Sequence, residues 1–416
     1  MGKAIGVELK AAIRKSLAWG TAKACGANQG LLILPSNIKR DRGSMVDDSL
    51  GQYFPKAADL GEIKAEGALS LYARYDGLDW LMAAVMGIAG NPTYTSPLVT
   101  GTATGGSTST LVKTAAGWTI DAYAGKHVII DGGAGSGQCR RIVSNTADTL
   151  TVDVGDGNWV APDATSTFKI FNAYAAHIYD LADAIDGLFG TYAIYNQVNV
   201  EECASVKVAG MTIKGAVGKP LEFTFDIIAN DKITNSSVNT AGTFANVTIR
   251  ETANRILYSM GVIRMNAQGG DALADGDKIY PADFELSLKR TMRGVYGVSG
   301  FNSIDEPTND GLPECKLKLQ FPRYTANTYF TDFDAENRKK LDLVFTGVGS
   351  RQFKLEFPNL KIASVDLPIE QGILKHPLEF DCLACDTAPT GMTGITKPFR
   401  ATLINTYGGD PLQIGN

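Results

Sequence analysis

One stretch of the chain occurs twice in related form, and this repeat constrains the fold more than any other feature. Residues 205–231 read SVKVAGMTIKGAVGKPLEFTFDIIAND, and residues 359–386 read NLKIASVDLPIEQGILKHPLEFDCLACD. Lys207-Val208-Ala209 matches Lys361-Ile362-Ala363, and after a longer loop in the second copy Pro220-Leu221-Glu222-Phe223 matches Pro377-Leu378-Glu379-Phe380. Each copy predicts a strand, a turn and a second strand. Two such units in one chain indicate an architecture built by repetition.

Alternation of apolar and polar residues predicts that these strands are half-buried. In the first copy Leu221, Phe223, Phe225 and Ile227 fall on one face, and the residues between them are polar. A period of two is typical of an antiparallel strand with one face in a core. Similar alternation over residues 63–75, 284–289 and 316–321 predicts a mainly β protein with short helices, an α+β composition.

Two short segments change to a helical period. Leu78, Leu81, Met82 and Val85 form one stripe, so we expect a helix over 76–87, begun by Asp76, ended by Gly87 and packed on a sheet. In the second half TDFDAENRKKL (331–341) starts with acidic residues and ends with Arg338, Lys339 and Lys340, which suits a helix macrodipole. The two halves therefore repeat the order strand, helix, strand, hairpin.

Other segments are less regular. Residues 31–34 predict a short strand, and the polar residues 36–56 predict a long loop. Residues 177–179 and 191–195 predict strands around a turn at Asp186-Gly187, with an amphipathic helix through Leu181 and Leu188 as the alternative.

A composition shift marks an inserted module. Residues 93–110 are rich in Gly, Ser and Thr, and short strands are predicted beyond them at 126–131, 138–144, 149–154 and 167–171. Because loop tips tolerate insertions, we interpret 96–172 as a small β domain placed in a loop of the main fold.

The bulk composition excludes several classes. The chain has 416 residues and a formal net charge of −5, which argues against general nucleic-acid affinity. No stretch approaches the ~20 apolar residues that span a bilayer, and the first residues lack the apolar region of a secretory signal. Six dispersed cysteines are typical of a reduced, cytoplasmic chain, so we expect no disulfides.

The candidate chemical motifs each have a simpler explanation, and we assign no catalytic, cofactor-binding or metal-binding residue. GGAGSGQ at 132–138 lacks the Lys-Ser/Thr and the helix of a phosphate loop and predicts a hairpin turn. Cys382 and Cys385 form a single C-x-x-C, interpreted as core packing. The histidines, His127, His177 and His376, lie in separate segments. Arg140-Arg141 could touch a glycan or phosphate, but a solvated strand is favoured.

The order of the segments resembles the major tail tube proteins of long-tailed, siphovirus-like bacteriophages. The resemblance is carried by GEIKAEGALSLYARYDGLDWLMAAVMG and TYAIYNQVNVEECASVKVAGMTIKGAVGKPLEFTFDIIAND, over about 30–90 and 173–386. It implies two tandem tail-tube-type β-sandwich or barrel domains. The expected division is an N-terminal arm (1–30), a first tube domain (31–95 and 173–233) with the inserted β domain (96–172), a linker (234–254), a second tube domain (255–387) and a C-terminal arm (388–416).

The resemblance also implies a structural function. Such proteins form rings whose hairpins pair edge to edge into one barrel, and rings commonly hold six domains, so two domains per chain imply a trimeric, pseudo-hexameric ring. Stacked rings would form a hollow conduit for DNA ejection, lined with acidic residues that repel phosphates. The implied partners are further copies of the chain and the tail terminator, tape measure and baseplate proteins, with genomic DNA passing through. The implied location is the virion tail, assembled in the host cytoplasm.

Three alternatives remain open from the sequence. The chain could be another tail component, such as a baseplate, tip or terminator protein. It could be a carbohydrate-active β protein that uses carboxylates. It could be an adhesion protein whose inserted module binds glycans.

Overall fold

The computed structural model describes residues 9–50, 53–54, 57–87, 97–136, 138–154, 159–171, 175–250, 252–297, 302–348, 351–365 and 372–405. The strands are β1 (Lys10–Lys15), β2 (Gly30–Leu31), β3 (Lys39–Val46), β4 (Ala58–Tyr72), β5 (Val99–Thr102), β6 (Gly105–Ser107), β7 (Thr110–Val112), β8 (His127–Gly132), β9 (Cys139–Asn145), β10 (Thr149–Val152), β11 (Thr167–Phe171), β12 (Ala175–Asp180), β13 (Gly190–Tyr195), β14 (Val200–Ala216), β15 (Glu222–Ala229), β16 (Ile233–Thr234), β17 (Gly261–Ala267), β18 (Lys278–Ile279), β19 (Asp283–Lys289), β20 (Met292–Arg293), β21 (Thr308–Asn309), β22 (Glu314–Phe321), β23 (Arg338–Thr346), β24 (Gln352–Val365), β25 (His376–Cys382) and β26 (Arg400–Asn405). The helices are α1 (Asp79–Met86), α2 (Ala241–Ala245), α3 (Thr328–Asp334) and two 3-10 turns, Tyr258–Met260 and Asp275–Asp277. The predicted mainly β composition with short helices is confirmed.

Eight strands form a continuous antiparallel surface in the order β3–β4–β15–β14–β19–β22–β25–β24. We call β3, β4, β15 and β14 the first four-strand unit, and β19, β22, β25 and β24 the second. The two units meet where β14 pairs with β19, from Gly210 opposite Lys289 to Ala216 opposite Asp283. The strands of the two halves are therefore hydrogen-bonded into one sheet.

One face of this surface is buried against further strands, among them β23, and against residues 352–357 of β24, which precede the part of β24 that pairs with β25. Phe223 and Phe353 lie 5.8 Å apart between ring centroids, and Phe284 and Phe345 lie 6.1 Å apart, so β15 and β19 pack on β24 and β23. All four rings are fully or almost fully buried. The alternation seen in the sequence is reproduced in β15, where Phe223, Phe225 and Ile227 are buried and the residues between them are not. Burial of one face is the physical origin of that period.

The inserted segment forms a separate seven-stranded sheet in the order β5–β11–β8–β9–β10–β7–β6. Its own core contains Leu111, Ile142, Leu150 and Phe168. The strands predicted there from the sequence coincide with β8, β9, β10 and β11 to within two residues at each end. The division of the chain into two tube domains and an inserted domain stays a prediction.

Both copies of the repeat form a hairpin in the structure. The sequence match places the first strands of the two hairpins correctly but not the second strands. In each copy the register shifts at the matched alanine, Ala209 in β14 and Ala363 in β24, so both hairpins carry a β-bulge at the same place. The second strands are offset from the sequence match: Asp226 is opposite Gly210, and Glu379 is opposite Ser364, the residue that corresponds to Gly210. The match of Pro220–Phe223 to Pro377–Phe380 was therefore wrong by four residues. The identical letters do not occupy equivalent positions.

The predicted loop over 36–56 is wrong for residues 39–46. Residues Lys39–Val46 form β3, which pairs with the start of β4 in a two-stranded ribbon. All eight residues of β3 are exposed. Because none of the β3 side chains is buried, this strand has no reason to alternate apolar and polar residues, and the sequence pattern does not indicate it.

Helix α1 ends as predicted and starts differently. Gly87 has φ 75°, and its N–H bonds to the Ala83 carbonyl. Leu78 occupies the N-cap without a side-chain cap, while the Asp76 carboxylate pairs with Arg351 at 3.3 Å. All eight residues of the helix are buried rather than one stripe.

The described residues between β12 and β13 do not form the alternative helix, and helix α3 ends earlier than predicted. Between β12 and β13 the chain is extended or turned, so the alternative helix through Leu181 and Leu188 is absent from these described residues, and the two predicted strands are confirmed. Helix α3 stops at Asp334, Glu336 takes φ 53°, and Arg338, Lys339 and Lys340 lie in β23. The three basic residues therefore do not complement a helix dipole.

The segments expected to be arms and a linker contribute to the sheet. Strand β1 lies within the expected N-terminal arm and pairs with β13 and β2. Strand β26 lies within the expected C-terminal arm and pairs with both β12 and β24. The expected linker contains α2, whose Phe244 is buried among Ala12, Cys25 and Ala193. Residues 1–8 and 406–416 lie outside the described residues.

Candidate assembly edges and polar sheet face

The face of the eight-stranded surface that is turned away from the core is polar. From β15 to β24 its partly or fully exposed residues include five lysines and seven carboxylates, in rows that follow the strand register. The lysines are Lys214, Lys289, Lys316, Lys318 and Lys361, and the carboxylates are Glu222, Asp226, Asp283, Glu285, Glu314, Glu379 and Asp381.

Opposite charges on this face stand next to one another across the strands. Lys214 pairs with Glu285 at 3.1 Å, and Glu379 accepts from Lys316 at 3.0 Å and lies 3.4 Å from Lys318. The hydrogen bond from Lys316 holds the pKa of Glu379 below its ordinary value. At Asp226 and Asp283 the larger effect is loss of hydration, which raises the pKa of each carboxyl. Positive and negative side chains are therefore interspersed on this face, with a small excess of carboxylates.

The inner edges of the two units are joined, and the outer edge of the second unit is open. On β14 the residues after the bulge have β15 on one side and β19 on the other. On β24 the corresponding residues, Ser364 and Val365, have only β25 as a neighbour among the described strands. Ser364 is exposed, whereas the corresponding Gly210 is buried.

The outer edge of the first unit is formed by residues 34–42. Leu34 and Asn37 donate backbone hydrogen bonds to the carbonyls of Ser70 and Ala68 on β4, and the pairing continues from Lys39 into β3. This segment therefore lies along β4 as β19 lies along β22. Residues 34–42 thus hold the position in the first unit that β19 holds in the second.

The ribbon of β3 and β4 carries exposed apolar side chains near its free end. Met45 and Val46 are more than half exposed, and Leu50, Tyr53 and Phe54 are at least 80% exposed. The ribbon leaves the sheet at the start of β4, and the turn at Val217-Gly218 lies at the other end, because Tyr72 at the end of β4 pairs with Glu222. A mainly apolar cavity of about 550 Å³ at that opposite end is lined by residues including Val217, Tyr258, Val262 and Tyr280.

The chemical motifs singled out from the sequence lie apart from one another. Gly132–Gln138 is a turn between β8 and β9, in which Gly133 and Gly135 have φ 76°; residue 137 is outside the described residues. All six cysteines are free thiols, with Cys382 buried and Cys385 half-buried.

The histidines and the Arg140-Arg141 pair do not converge either. His127 lies in the inserted sheet, His177 is 3.7 Å from Asp79, and His376 is surrounded by four aromatic rings. Arg140 is buried and donates to the Cys139 carbonyl, contrary to the expected solvated strand, whereas Arg141 is exposed. In the described part of the chain no group of three or more metal-ligating side chains is present.

Sequence reasoning missed the buried charges that tie the halves together. Lys207 is completely buried, contacts Glu306 and lies 4.0 Å from Asp186. Asp79 is also completely buried, accepts from Asn405 of β26 at 2.8 Å and pairs with Arg250 at 3.3 Å. In three of these four pairs the partners are 99, 171 and 326 residues apart, so no local signal could have revealed them.

Comparison with known proteins supports one assignment. The family model described as phage tail tube protein matches residues 7–382. No protein of curated function matches the chain. Among the described residues no helix is long and apolar enough to cross a membrane.

Proposed function

The chain belongs to the phage tail tube protein family, and from that premise we propose that three copies close into a ring and that the rings stack into the tube. Membership of the family makes the protein a structural component of the virion tail that assembles with itself. We propose in addition the number of chains per ring, the face that lines the bore and the contacts between rings.

The observation that carries the ring count is the junction between β14 and β19. It shows that two four-strand units of this chain pair edge to edge through antiparallel hydrogen bonds. The outer edges of the pair are of the same kind, and unpaired edges favour pairing with another chain. Three chains supply six such units, which suits a closed ring of pseudo-sixfold symmetry.

In this arrangement the polar face lines the bore, because the opposite face is already buried in the core. The expected acidic lining becomes a mixed one, since five lysines accompany the seven carboxylates. A lysine that is ion-paired with a neighbouring carboxylate, as Lys316 is with Glu379, binds phosphate groups weakly. DNA would slide past such a face without specific binding.

The ribbon of β3 and β4 supplies the contact between rings. It projects from one end of the sheet, and the apolar cavity beside Val217 lies at the other, so head-to-tail stacking brings the two together. The N-terminal residues are a second bridge in the proposal. The remaining partners, the tail terminator, tape measure and baseplate proteins, would meet the ends and the bore of the tube, assembled in the host cytoplasm.

Negative-stain microscopy and mass measurement of the purified protein test the proposal. The expected result is hollow tubes, which on mild dissociation release rings of three 44.3-kDa chains. Rings of six chains would refute the ring count. A protein that caps tubes without repeating would instead be another tail component.

Deleting the inserted sheet tests whether it lies outside the tube. Val99 at the start of β5 pairs with Ile170 at the end of β11, so the module enters and leaves the main fold at adjacent points. Replacing residues 97–171 by a short Gly-Ser linker is therefore expected to leave tube assembly intact, with a thinner outer wall in micrographs. Loss of tubes by a folded deletion variant would contradict an outward position.

A further inference from the structure

Arg290 clamps the junction inside the chain. It directly follows β19 and is only 3% exposed. Its guanidinium donates from Nε to the Val85 carbonyl at 3.1 Å and from Nη2 to the carbonyls of Met86 and Ala182 at 3.5 and 2.7 Å. Its backbone N–H bonds to the carbonyl of the bulge residue Ala209. An arginine of the second unit thus binds the carboxyl end of α1, the helix of the first unit, where a cation is favoured.

The strand register identifies the residue of the first unit that corresponds to Arg290. We follow the residues that lie opposite one another from strand to strand, starting two residues before each bulge. In the first unit Lys207 on β14 is opposite Ile228 on β15. Ile228 is opposite Glu66 on β4, and Glu66 is opposite Lys39 on β3. In the second unit Lys361 on β24 is opposite Asp381 on β25. Asp381 is opposite Lys316 on β22, and Lys316 is opposite Ser287 on β19. Lys39 therefore corresponds to Ser287.

Three residues further on, Arg42 corresponds to Arg290. Arg42 is opposite the buried Ile63, which places it on the core side of the sheet, as Arg290 is. Yet Arg42 is exposed, and no side-chain hydrogen bond or ion pair is formed by it within the described residues. Its neighbour Arg40, by contrast, is held by Asp231 through two hydrogen bonds of 2.7 and 3.1 Å.

The carboxyl end of α3 is the matching open place. Phe333 is 39% exposed there, Asp334 is exposed, and the Glu336 carboxylate is 70% exposed. The adjacent edge is equally uncovered: Val365 is half-buried, whereas the corresponding Met211 is fully buried beneath the junction. The Glu336 carboxylate already pairs with Lys361 at 3.0 Å, so a cationic side chain would find the carbonyls at the end of α3 and the Asp334 carboxylate.

We propose that Arg42 of a second copy of this chain binds the carboxyl end of α3, as Arg290 binds α1 within the chain. The inference rests on the proposed ring and specifies its interface. By the register of β14 and β19, Asp41 of one copy lies opposite Ser364 of the next and Arg40 opposite Val365. The Arg42 backbone N–H then donates to the carbonyl of the bulge residue Ala363.

Disulfide trapping tests this register. The variant pair Asp41→Cys and Ser364→Cys is made with Cys385→Ser, since the other five thiols are buried. Within one chain the two positions lie at opposite edges of eight strands, on the order of 30 Å apart at ~4.8 Å per strand, beyond the ~7 Å reach of a disulfide. Oxidation should therefore give covalently closed species of three chains.

A shifted pair is the matched control. Ser44→Cys with Ser364→Cys moves one thiol three residues along β3, about 10 Å, and should not crosslink. Equal crosslinking of both pairs, or of the shifted pair alone, would overturn the register.

The role of the side chain is tested by substitution. Arg42→Ala should raise the protein concentration needed for ring formation about tenfold, because a charge-assisted hydrogen bond is lost. Lys39→Ala removes the same charge from the opposite face of β3 and should change this concentration less than about twofold. Arg42→Asp should block assembly, and Asp334→Arg in the same chain should restore it.

The outcomes separate this inference from the proposed function. Rings of three chains that form normally with Arg42→Ala, and that do not trap through Asp41 and Ser364, would overturn the inference and leave the ring standing. Wild-type protein that stays unassembled would overturn both.

Discussion

Helices α1 and α3 occupy the same place in the two halves, each after the second strand of its unit, yet their surroundings differ. All eight residues of α1 are buried, while in α3 only Asp332 is. The first half adds β12 and the chain between β12 and β13 over its helix, whereas the second half passes directly from α3 into β23. Arg290 completes the cover of α1.

The difference shows what an internal junction does to a repeated unit. Wherever the second unit meets the first, the positions of the first are buried: Gly210, Met211 and the end of α1. The corresponding positions of the second unit are open among the described residues. The comparison therefore predicts that a neighbouring chain binds at the open positions, and the measurements below, on dilute and unassembled protein, test this prediction.

The largest difference in the free energy of unfolding is expected between substitutions in helix α1 and in helix α3. Leu81→Ala empties a fully buried site in α1 and should lower the free energy of unfolding by about 2–5 kcal/mol. Phe333→Ala in α3 removes a side chain that is 39% exposed and should cost less than about 1 kcal/mol. Urea unfolding measures both, and equal losses would mean that α3 is as enclosed as α1.

The second-largest difference in the free energy of unfolding is expected between substitutions of Arg290 and of Arg42. Arg290→Ala leaves the carbonyls of Val85, Met86 and Ala182 without their donor and should cost about 2–3 kcal/mol. Arg42→Ala should leave the stability of the unassembled chain within about 0.5 kcal/mol, since its side chain is exposed there. The same unfolding assay decides, and a large loss with Arg42→Ala would mean that it already has a role within the chain.

A smaller effect is expected at the bulges. A Cβ on Gly210 would meet Asp226 Oδ2 at 2.6 Å and the Leu288 carbonyl at 3.0 Å, across the junction. Gly210→Ala should therefore lower the free energy of unfolding by about 1–3 kcal/mol. Ser364→Ala, at the corresponding open position, should be neutral in thermal unfolding, and a comparable loss there would argue that the edge is already covered.

The smallest effect is a difference in pH dependence between the corresponding carboxylates Asp226 and Glu379. The lowered pKa of Glu379 means that its contribution to stability is present above its ordinary value and is lost as the pH falls through the folded one. The raised pKa of Asp226 has the opposite sign: ionisation weakens the fold, and this cost disappears as the pH falls.

Unfolding of Glu379→Gln and Asp226→Asn between about pH 3 and pH 7 measures these two contributions. At neutral pH the first variant should be less stable than the wild type and the second more stable, with both differences closing in acid. Differences of the same sign in the two variants would contradict the assigned causes.

Much of the fold could be predicted from particular residues. The alternation in β15, β19 and β22, the end of α1 at Gly87 and the strands of the inserted sheet were all legible, because each depends on contacts nearby in the chain or on one buried face. The absence of a convincing catalytic pattern, together with the repeat, pointed to a structural protein. The alternation in β19 and β22 also placed Lys289, Lys316 and Lys318 on the face opposite the core, whereas an acidic lining of a bore stays a prediction.

The repeat and the alternation of apolar and polar residues were enough to predict a mainly β protein with two related hairpins, since both are local properties of the chain. The bulges at Ala209 and Ala363, the four-residue offset of the second strands, the strand β3 and the burial of Arg290 emerged only with the tertiary structure. These features depend on pairing partners far away in the chain, because register is set between strands rather than within them, and β3 has no buried residue that would impose an alternating pattern.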